Sequence, residues 1–359
     1  MEHKIAVLPG DGIGEEVMEQ ALRVLQKISE LSGHKFSLTH GLVGGAAYDK
    51  YETHFPEETK KLCLANEAIL FGSVGGPVSE QHLPKWKNCE ANSILAMRKT
   101  FNFYANFRPV KVFPQLSAMC PLKKELVEKG IDILFVRELV GDIYFGEHKT
   151  FTENGKRKAT DVAQYTEDQI ADVAHVAFKA AQLRRGKVTS VDKANVLDTS
   201  KLWREVVREV GKQYANVELV EMLVDNCAMQ IIINPSQFDV VLTSNMFGDI
   251  LSDAGAVLPG SLGLLSSASF SKTGFSLFEP PGGSAPDIAG KGIANPIAQI
   301  LSVALMLRYA FKMEKEAVAI EKAVETTLER GYRTRDIKQE GCELVGSSQM
   351  TDIVISFIN

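Results

Sequence analysis

Residues 4–33 read KIAVLPGDGIGEEVMEQALRVLQKISELSG, and this stretch sets the fold class. Residues 4–8 are a short apolar run that fits a buried strand. From Glu15 onward Val17, Ala21, Val24, Leu25, Ile28 and Leu31 recur at helical spacing, and Gly33 closes the helix. Between the two, Gly10-Asp11-Gly12-Ile13-Gly14 provides a tight strand-to-helix turn. The turn invites comparison with a GxGxxG phosphate loop. Its spacing is instead GxGxG, and no strand near residue 35 ends in an acidic side chain that could hold a ribose. The stretch therefore predicts one βα unit of an α/β protein and does not carry the classical nucleotide fingerprint.

The same alternation runs outward along the chain. Strands are predicted at 36–40, 68–72, 132–138, 187–192, 218–223 and 239–243, with helices at 56–65, 167–185, 200–213 and 225–233. This rhythm predicts a largely parallel or mixed sheet. Two stretches break it. Residues 146–166 are polar and contain the turn Glu153-Asn154-Gly155-Lys156, which predicts a hairpin or protruding arm. Residues 259–293 are rich in Gly, Ser and Pro, the composition of a ligand-binding loop. At 359 residues the chain is expected to form about two domains.

Composition narrows the function classes. Forty Lys and Arg against forty-five Asp and Glu give a formal charge of −5, which argues against nucleic acid as a partner. Cys63, Cys89, Cys120, Cys227 and Cys342 are scattered without a CxxC pair and read as reduced thiols of a cytoplasmic protein. The apolar start stops at Pro9, too soon for a signal peptide. The longest apolar run, residues 297–307, is too short to span a bilayer, so no membrane association is expected.

Several residues carry chemistry. Arg98, Arg108 and Arg137 offer guanidinium forks suited to a di- or tricarboxylate, with Arg137 at the exit of an apolar strand. Spacing alone favours three surface arginines. Asp249 and Asp253 fall at i and i+4 on one helix face after Gly248, where they repel unless a cation lies between them. Hard divalent ions such as Mg²⁺ or Mn²⁺ take that arrangement, with Asp225 at a strand end as a third carboxylate. The alternative is a helix cap and a solvated aspartate. Lys193 follows a strand directly and can serve as a base, or simply as a surface lysine. In Glu279-Pro280-Pro281-Gly282-Gly283-Ser284-Ala285-Pro286-Asp287, small residues admit a flat nucleotide and Asp287 can accept both ribose hydroxyls.

Taken together these blocks resemble the β-decarboxylating dehydrogenases of 2-hydroxy acids, the isocitrate/isopropylmalate dehydrogenase family. The strongest pieces are Arg98-Lys99 with Tyr104-Ala105-Asn106-Phe107-Arg108-Pro109, Asp192-Lys193-Ala194-Asn195-Val196-Leu197, the block 245–253, and Ser284-Ala285-Pro286-Asp287-Ile288-Ala289-Gly290-Lys291. The likeness covers essentially the whole chain. It implies a two-domain fold with a mixed central sheet: residues 1–100 plus 256–359 with most of the NAD site, and residues 101–255 with the substrate, the metal and a dimer arm near 146–166. It further implies that Arg98, Arg108 and Arg137 hold malate carboxylates, and that Asp225, Asp249 and Asp253 bind Mg²⁺ or Mn²⁺. Lys193 and Asp225 would act as catalytic groups reaching in from the second subunit of a homodimer, and Tyr144 would supply a proton after decarboxylation. Glu279, Gly282, Gly283, Ser284, Ala285, Asp287, Ile288 and Asn295 would line the cofactor site. Closure of the two domains over the substrate is also expected.

Within the family, isocitrate members usually carry Ser and Asn at the positions of Asn92 and Ile94, and homoisocitrate members an Arg at that of Leu95. A substrate carboxylate against Ile94 and Leu95 would be desolvated without a partner, whereas an isopropyl group gains burial. Val196 is expected to complete this pocket from the partner subunit. Asp287 would repel a 2′-phosphate, and Ile288 stands where phosphate-selecting members place a polar residue, which favours NAD over NADP. The resemblance thus implies oxidative decarboxylation of 3-isopropylmalate in leucine biosynthesis. A related malate-type substrate, or a metal-dependent lyase that would not need the 279–295 loop, remains as an alternative. Three positions depart from the family pattern: Gly282 replaces a frequent histidine, Asp142 a usual glycine, and Glu15 a common proline.

Overall fold

Strand β1 (Glu2–Gly10) and helix α1 (Gly14–Ser32) form the opening βα unit. Ile5, Ala6, Val7 and Leu8 are fully buried, and α1 buries Val17, Ala21, Val24, Leu25 and Ile28 against them. The first part of the chain adds β2 (Lys35–His40), α2 (Gly45–Tyr51), α3 (Glu57–Leu64) and β3 (Ala68–Ser73). A π-helical turn, Ala91–Leu95, then runs directly into α4 (Ala96–Thr100).

The middle of the chain holds β4 (Phe103–Lys111), α5 (Lys124–Val127), β5 (Asp132–Glu138), the hairpin β6 (His148–Glu153) and β7 (Lys156–Asp161), and α6 (Glu167–Gln182). It continues with β8 (Lys187–Asp192), α7 (Asp198–Gly211), β9 (Glu218–Leu223), α8 (Val224–Ile233), β10 (Val240–Thr243) and α9 (Asn245–Ala256). The last part contributes β11 (Ser267–Ser271), β12 (Ser276–Glu279), α10 (Ile297–Tyr309), α11 (Glu314–Glu329) and α12 (Ser347–Phe357).

In the computed structural model, which describes residues 1–359, these elements form two units. Unit 1 comprises Met1–Asn102, Gln115–Met119 and Pro259–Asn359; unit 2 comprises Phe103–Pro114 and Cys120–Leu258. Residues 115–119 thus group with the chain's ends, unlike in the division expected from the sequence. Arg333 donates to the Gln115 carbonyl, and Met119 packs against Gly260.

Each unit carries five strands of a mixed sheet. In unit 1 the order is β2-β1-β3-β12-β11, all parallel except the β11–β12 pair. In unit 2 the order is β4-β5-β10-β8-β9, all parallel except the β4–β5 pair. The inner parallel strands β3, β5, β8 and β10 are buried on both faces, as helix-covered strands are, whereas the edge strands β2 and β9 are exposed and half-buried. The arm expected near 146–166 is the exposed two-stranded hairpin β6–β7, turned by Asn154 and Gly155 at φ 51° and 75°.

The stretch 259–293, expected to be a loop, contains the strands β11 and β12. Ser267, Ser269 and Ser276 in them are buried, and their hydroxyl composition concealed a strand that lies inside a sheet. No helix is long and apolar enough to cross a membrane, and the five cysteines are free.

Candidate active site

Most of the candidate groups of unit 2 gather where β5 ends and α9 begins. Arg137, the penultimate residue of β5, is buried; its Nε and Nη2 donate to Asn245 Oδ1 at 3.1 and 2.8 Å, and its Nη1 donates to Asp249. Gly248 makes this approach possible. A Cβ there would lie 2.7 Å from Arg137 Cγ and 2.3 Å from Thr243 Oγ1.

Arg108, on β4, donates through Nη1 to Asp253 Oδ1 at 2.9 Å and to Ser252 Oγ at 2.8 Å. Its Nη2 lies 3.5 Å from Asp249. The i, i+4 carboxylates on α9 are therefore each faced by arginine, which offsets their mutual repulsion. Tyr144 completes the cluster: its hydroxyl donates to Asp249 Oδ2 at 3.0 Å, and Arg137 lies 5.8 Å from its ring centroid. Burial, then the Asp249 charge, raises the Tyr144 phenol above its ordinary range.

A second pair lies elsewhere in unit 2. Lys193, in the turn after β8, donates to Asp225 Oδ1 at 2.7 Å, and this bond holds the Asp225 carboxyl below its usual range. Val196 in the same turn is 64% exposed. The single chain assembles no group of three or more His, Cys, Asp or Glu able to hold a metal, so Asp225 does not join Asp249 and Asp253 within it. The carboxylates of Asp249 and Asp253 are nevertheless the hard oxygen donors that Mg²⁺ or Mn²⁺ takes, and Asp253 is largely exposed.

In unit 1 Arg98, on α4, lies 3.6 Å from Glu279 at the end of β12, both largely buried. Ile94 is half-buried and Leu95 is 43% exposed, both in the π-helical turn. A cavity of about 460 Å³ is lined by Ile13, Leu262, Gly263, Gly282, Gly283, Ala285, Ile288, Asn295, Arg335 and Asp336, among others. Its walls are mostly backbone and small or apolar side chains, which suit a flat nucleotide.

Of the expected cofactor residues, Gly282, Gly283, Ala285, Ile288 and Asn295 line this cavity. Glu279, Ser284 and Asp287 do not: Glu279 faces Arg98, Ser284 is buried under the glycine turn, and Asp287 is exposed to one side. The glycine turn is itself part of the wall. Ile13 N donates to Ser284 O at 2.8 Å, and a Cβ on Gly12, whose φ is 60°, would meet that oxygen at 2.0 Å. Asp336, not expected from the sequence, accepts from Asn295 Nδ2 at 3.0 Å and from Ser261.

The family model described as "Isocitrate/isopropylmalate dehydrogenase" matches residues 4–354. The chain belongs to the isocitrate/isopropylmalate dehydrogenase family. It is 53% identical to the 3-isopropylmalate dehydrogenase of Aquifex aeolicus over 355 residues, covering 99% of this chain and 96% of that protein. It is also 53% identical to the 3-isopropylmalate dehydrogenase of Thermotoga maritima over 351 residues, 98% of each chain. Among solved structures it is similar to isocitrate dehydrogenase from Methylococcus capsulatus, with a TM-score of 0.85 at 32% identity and 99% of each chain covered. A β-decarboxylating dehydrogenase from Thermococcus kodakarensis gives a TM-score of 0.80 at 34% identity, covering 99% of this chain and 96% of that one. The position at which this family member departs from a usual glycine, Asp142, has a φ of 69°, a region where glycine is at ease and aspartate is tolerated.

Proposed function

We propose that the chain catalyses the NAD-dependent oxidative decarboxylation of (2R,3S)-3-isopropylmalate to 4-methyl-2-oxopentanoate and CO₂, in leucine biosynthesis. The observation that carries this reading is the likeness, over nearly the whole chain, to proteins named 3-isopropylmalate dehydrogenase. The apolar, solvent-reaching Leu95 beside Ile94 supports the choice of substrate: it offers burial to an isopropyl group and no partner to a carboxylate.

In this reading Arg98, Arg108 and Arg137 hold the substrate carboxylates. Asp249 and Asp253, with Asp225 of a second subunit, hold Mg²⁺ or Mn²⁺, and the unit 1 cavity takes NAD. When bound, the nicotinamide would supply a hydride acceptor and the divalent ion Lewis-acid polarisation of the substrate. Lys193, as the uncharged amine still hydrogen-bonded to Asp225, receives the hydroxyl proton and becomes the ammonium. After CO₂ has left, Tyr144 delivers its phenolic proton to the carbon that carried the lost carboxylate. Arg108 and Arg137, already matched to carboxylates in this structure, exchange those partners for the substrate's.

We further propose that the enzyme is a homodimer with shared sites. Met229, Ile232 and Ile233 on α8 and Ile250 on α9 are exposed apolar side chains on neighbouring helices, which favours covering by a second copy. Isopropylmalate-dependent formation of NADH, followed by its near-ultraviolet absorbance, tests the activity, and no formation with Mn²⁺ present overturns it. For the shared site, chains carrying Lys193→Ala and Arg98→Ala are each expected to be inactive and to regain part of the activity when mixed. One site of a mixed dimer would carry both lesions and the other neither. No recovery after verified subunit exchange would mean that each site is built from one chain.

A further inference from the structure

Two side chains with no role above, Tyr165 and Asp142, both grip the N-terminus of α9. Ser244, the N-cap residue of α9, makes no side-chain capping bond, so the first N–H groups of the helix are served by other residues. Tyr165, just before α6, accepts from Asn245 N at 2.9 Å and donates its own proton to Glu138 Oε2 at 2.9 Å. Glu138, the last residue of β5, is fully buried and also accepts from Val140 N at 2.6 Å and Gly141 N at 2.9 Å. Asn245 closes the ring: it donates to Gly141 O at 3.2 Å while its own oxygen takes the Arg137 guanidinium.

Asp142 forms the second grip. Its Oδ2 accepts from Met246 N at 3.1 Å and its Oδ1 from Ile143 N at 2.8 Å. The left-handed backbone there brings the carboxylate back over the helix start, and it leads two residues later to Tyr144.

We propose that Tyr165 and Asp142 are positioning residues, which clamp the start of α9 to the exit of β5 and so fix Arg137, Tyr144 and Asp249 relative to one another. The three groups lie on a strand end, a loop and a helix, and only this set of hydrogen bonds ties the loop to the first turn of that helix. A displacement well under an ångström between groups acting on one substrate lowers turnover. The inference rests on the reading that those three groups act on the substrate.

The test compares Tyr165→Phe, Asp142→Gly and Asp142→Asn with the parent enzyme. Phe keeps the ring against Trp203, 5.5 Å away between centroids, so Trp203 fluorescence reports whether the surroundings are intact. Gly suits the backbone of residue 142 but removes the carboxylate, whereas Asn keeps one acceptor oxygen. Steady-state kinetics well below the melting temperature should show kcat reduced by roughly tenfold in Tyr165→Phe and Asp142→Gly, the scale of one lost hydrogen bond to a working group. KM for isopropylmalate should rise, KM for NAD should stay the same, and Asp142→Asn should fall between parent and Asp142→Gly.

Direct Mn²⁺ binding, read by the spin resonance of the free ion, should weaken in Tyr165→Phe, because Asp249 loses its register. Folded variants with parental kcat, KM and Mn²⁺ affinity, or with lowered stability alone, would overturn the clamp. If the parent does not turn over isopropylmalate, the functional reading fails, and the Mn²⁺ comparison still decides the clamp.

Discussion

The two units share a plan of four parallel strands and one antiparallel strand, yet they build their working surfaces from different materials. The unit 1 cavity is shaped by backbone, glycine and apolar side chains. The unit 2 cluster is charge: two arginines, two aspartates and a tyrosine held by hydrogen bonds and ion pairs. A surface defined by shape should be sensitive to added volume and indifferent to charge-neutral polar change. A surface defined by charge should be sensitive to one lost charge even when volume is kept.

The isosteric change Asp249→Asn tests the second half of that statement most severely. It leaves Arg137 and Arg108 facing an amide and removes a hard ligand oxygen, so turnover should fall by roughly a thousandfold and Mn²⁺ binding should weaken. NAD binding, followed by the fluorescence of NADH, should be unchanged; a parallel loss there would erase the distinction between the units.

Gly12→Ala is the converse. Its new methyl carbon would sit 2.0 Å from the Ser284 carbonyl at a φ of 60°, so KM for NAD should rise by about tenfold and the melting temperature should fall. Mn²⁺ affinity should not move. An NAD KM equal to the parent's would show that the turn does not shape the cavity.

A smaller effect separates the units by pH. Burial pushes the Glu138 carboxyl from its ordinary 4.5 up to about 7, against the pull of the Val140, Gly141 and Tyr165 donors. Besides those donors, Asp142 adds its charge, and Arg137 is its neighbour on the strand. Between these two values the native state keeps the proton and the unfolded chain has lost it. Stability from this group is therefore full below about 4.5 and is lost as pH rises toward about 7. Thermal melts from acid to neutral pH should show that decline in the parent and a shallower one in Glu138→Gln; superimposable slopes would remove the contribution.

The smallest change expected is at Arg208, whose guanidinium pairs with Glu221 on the exposed side of unit 2. Arg208→Ala should leave the midpoint of chemical denaturation close to the parent's and kcat unchanged, since solvated pairs contribute little. A clear kinetic effect would mean that charge in unit 2 matters well beyond the cluster.

The same contrast decided what the sequence disclosed. The i, i+4 pair Asp249 and Asp253, and Arg137 at the end of an apolar run, were legible because charge placement on a helix or a strand end follows from short-range periodicity. The opening βα unit and the hairpin turn were legible for the same reason. Tyr165, Asp336 and Ile13 were not, because each works through a partner distant in sequence: Asn245, Asn295 and Ser284 respectively. The glycine turn does join β1 to α1 as its spacing predicted, but nothing in that spacing revealed that it would wall the cavity from the other side. Strands β11 and β12 were hidden by serine, whose hydroxyls mark a loop in a linear pattern although here they are buried within a sheet. The π-helical turn left no periodic trace at all, being only five residues long.

That turn has an evolutionary reading. A π-turn is an α-helix carrying one surplus residue, so a single-codon deletion within Ala91–Leu95 would restore ordinary winding and swing the upstream side chains by about 100° relative to Arg98. A deletion at Ser93 would thus re-aim Asn92 and the residues before it, while Ile94 and Leu95, proposed above to meet the substrate, keep their spacing to Arg98. Substrate preference in this lineage would drift by insertion and deletion as well as by substitution, and a deletion series across the turn, assayed against malates with apolar and charged 3-substituents, would trace that path.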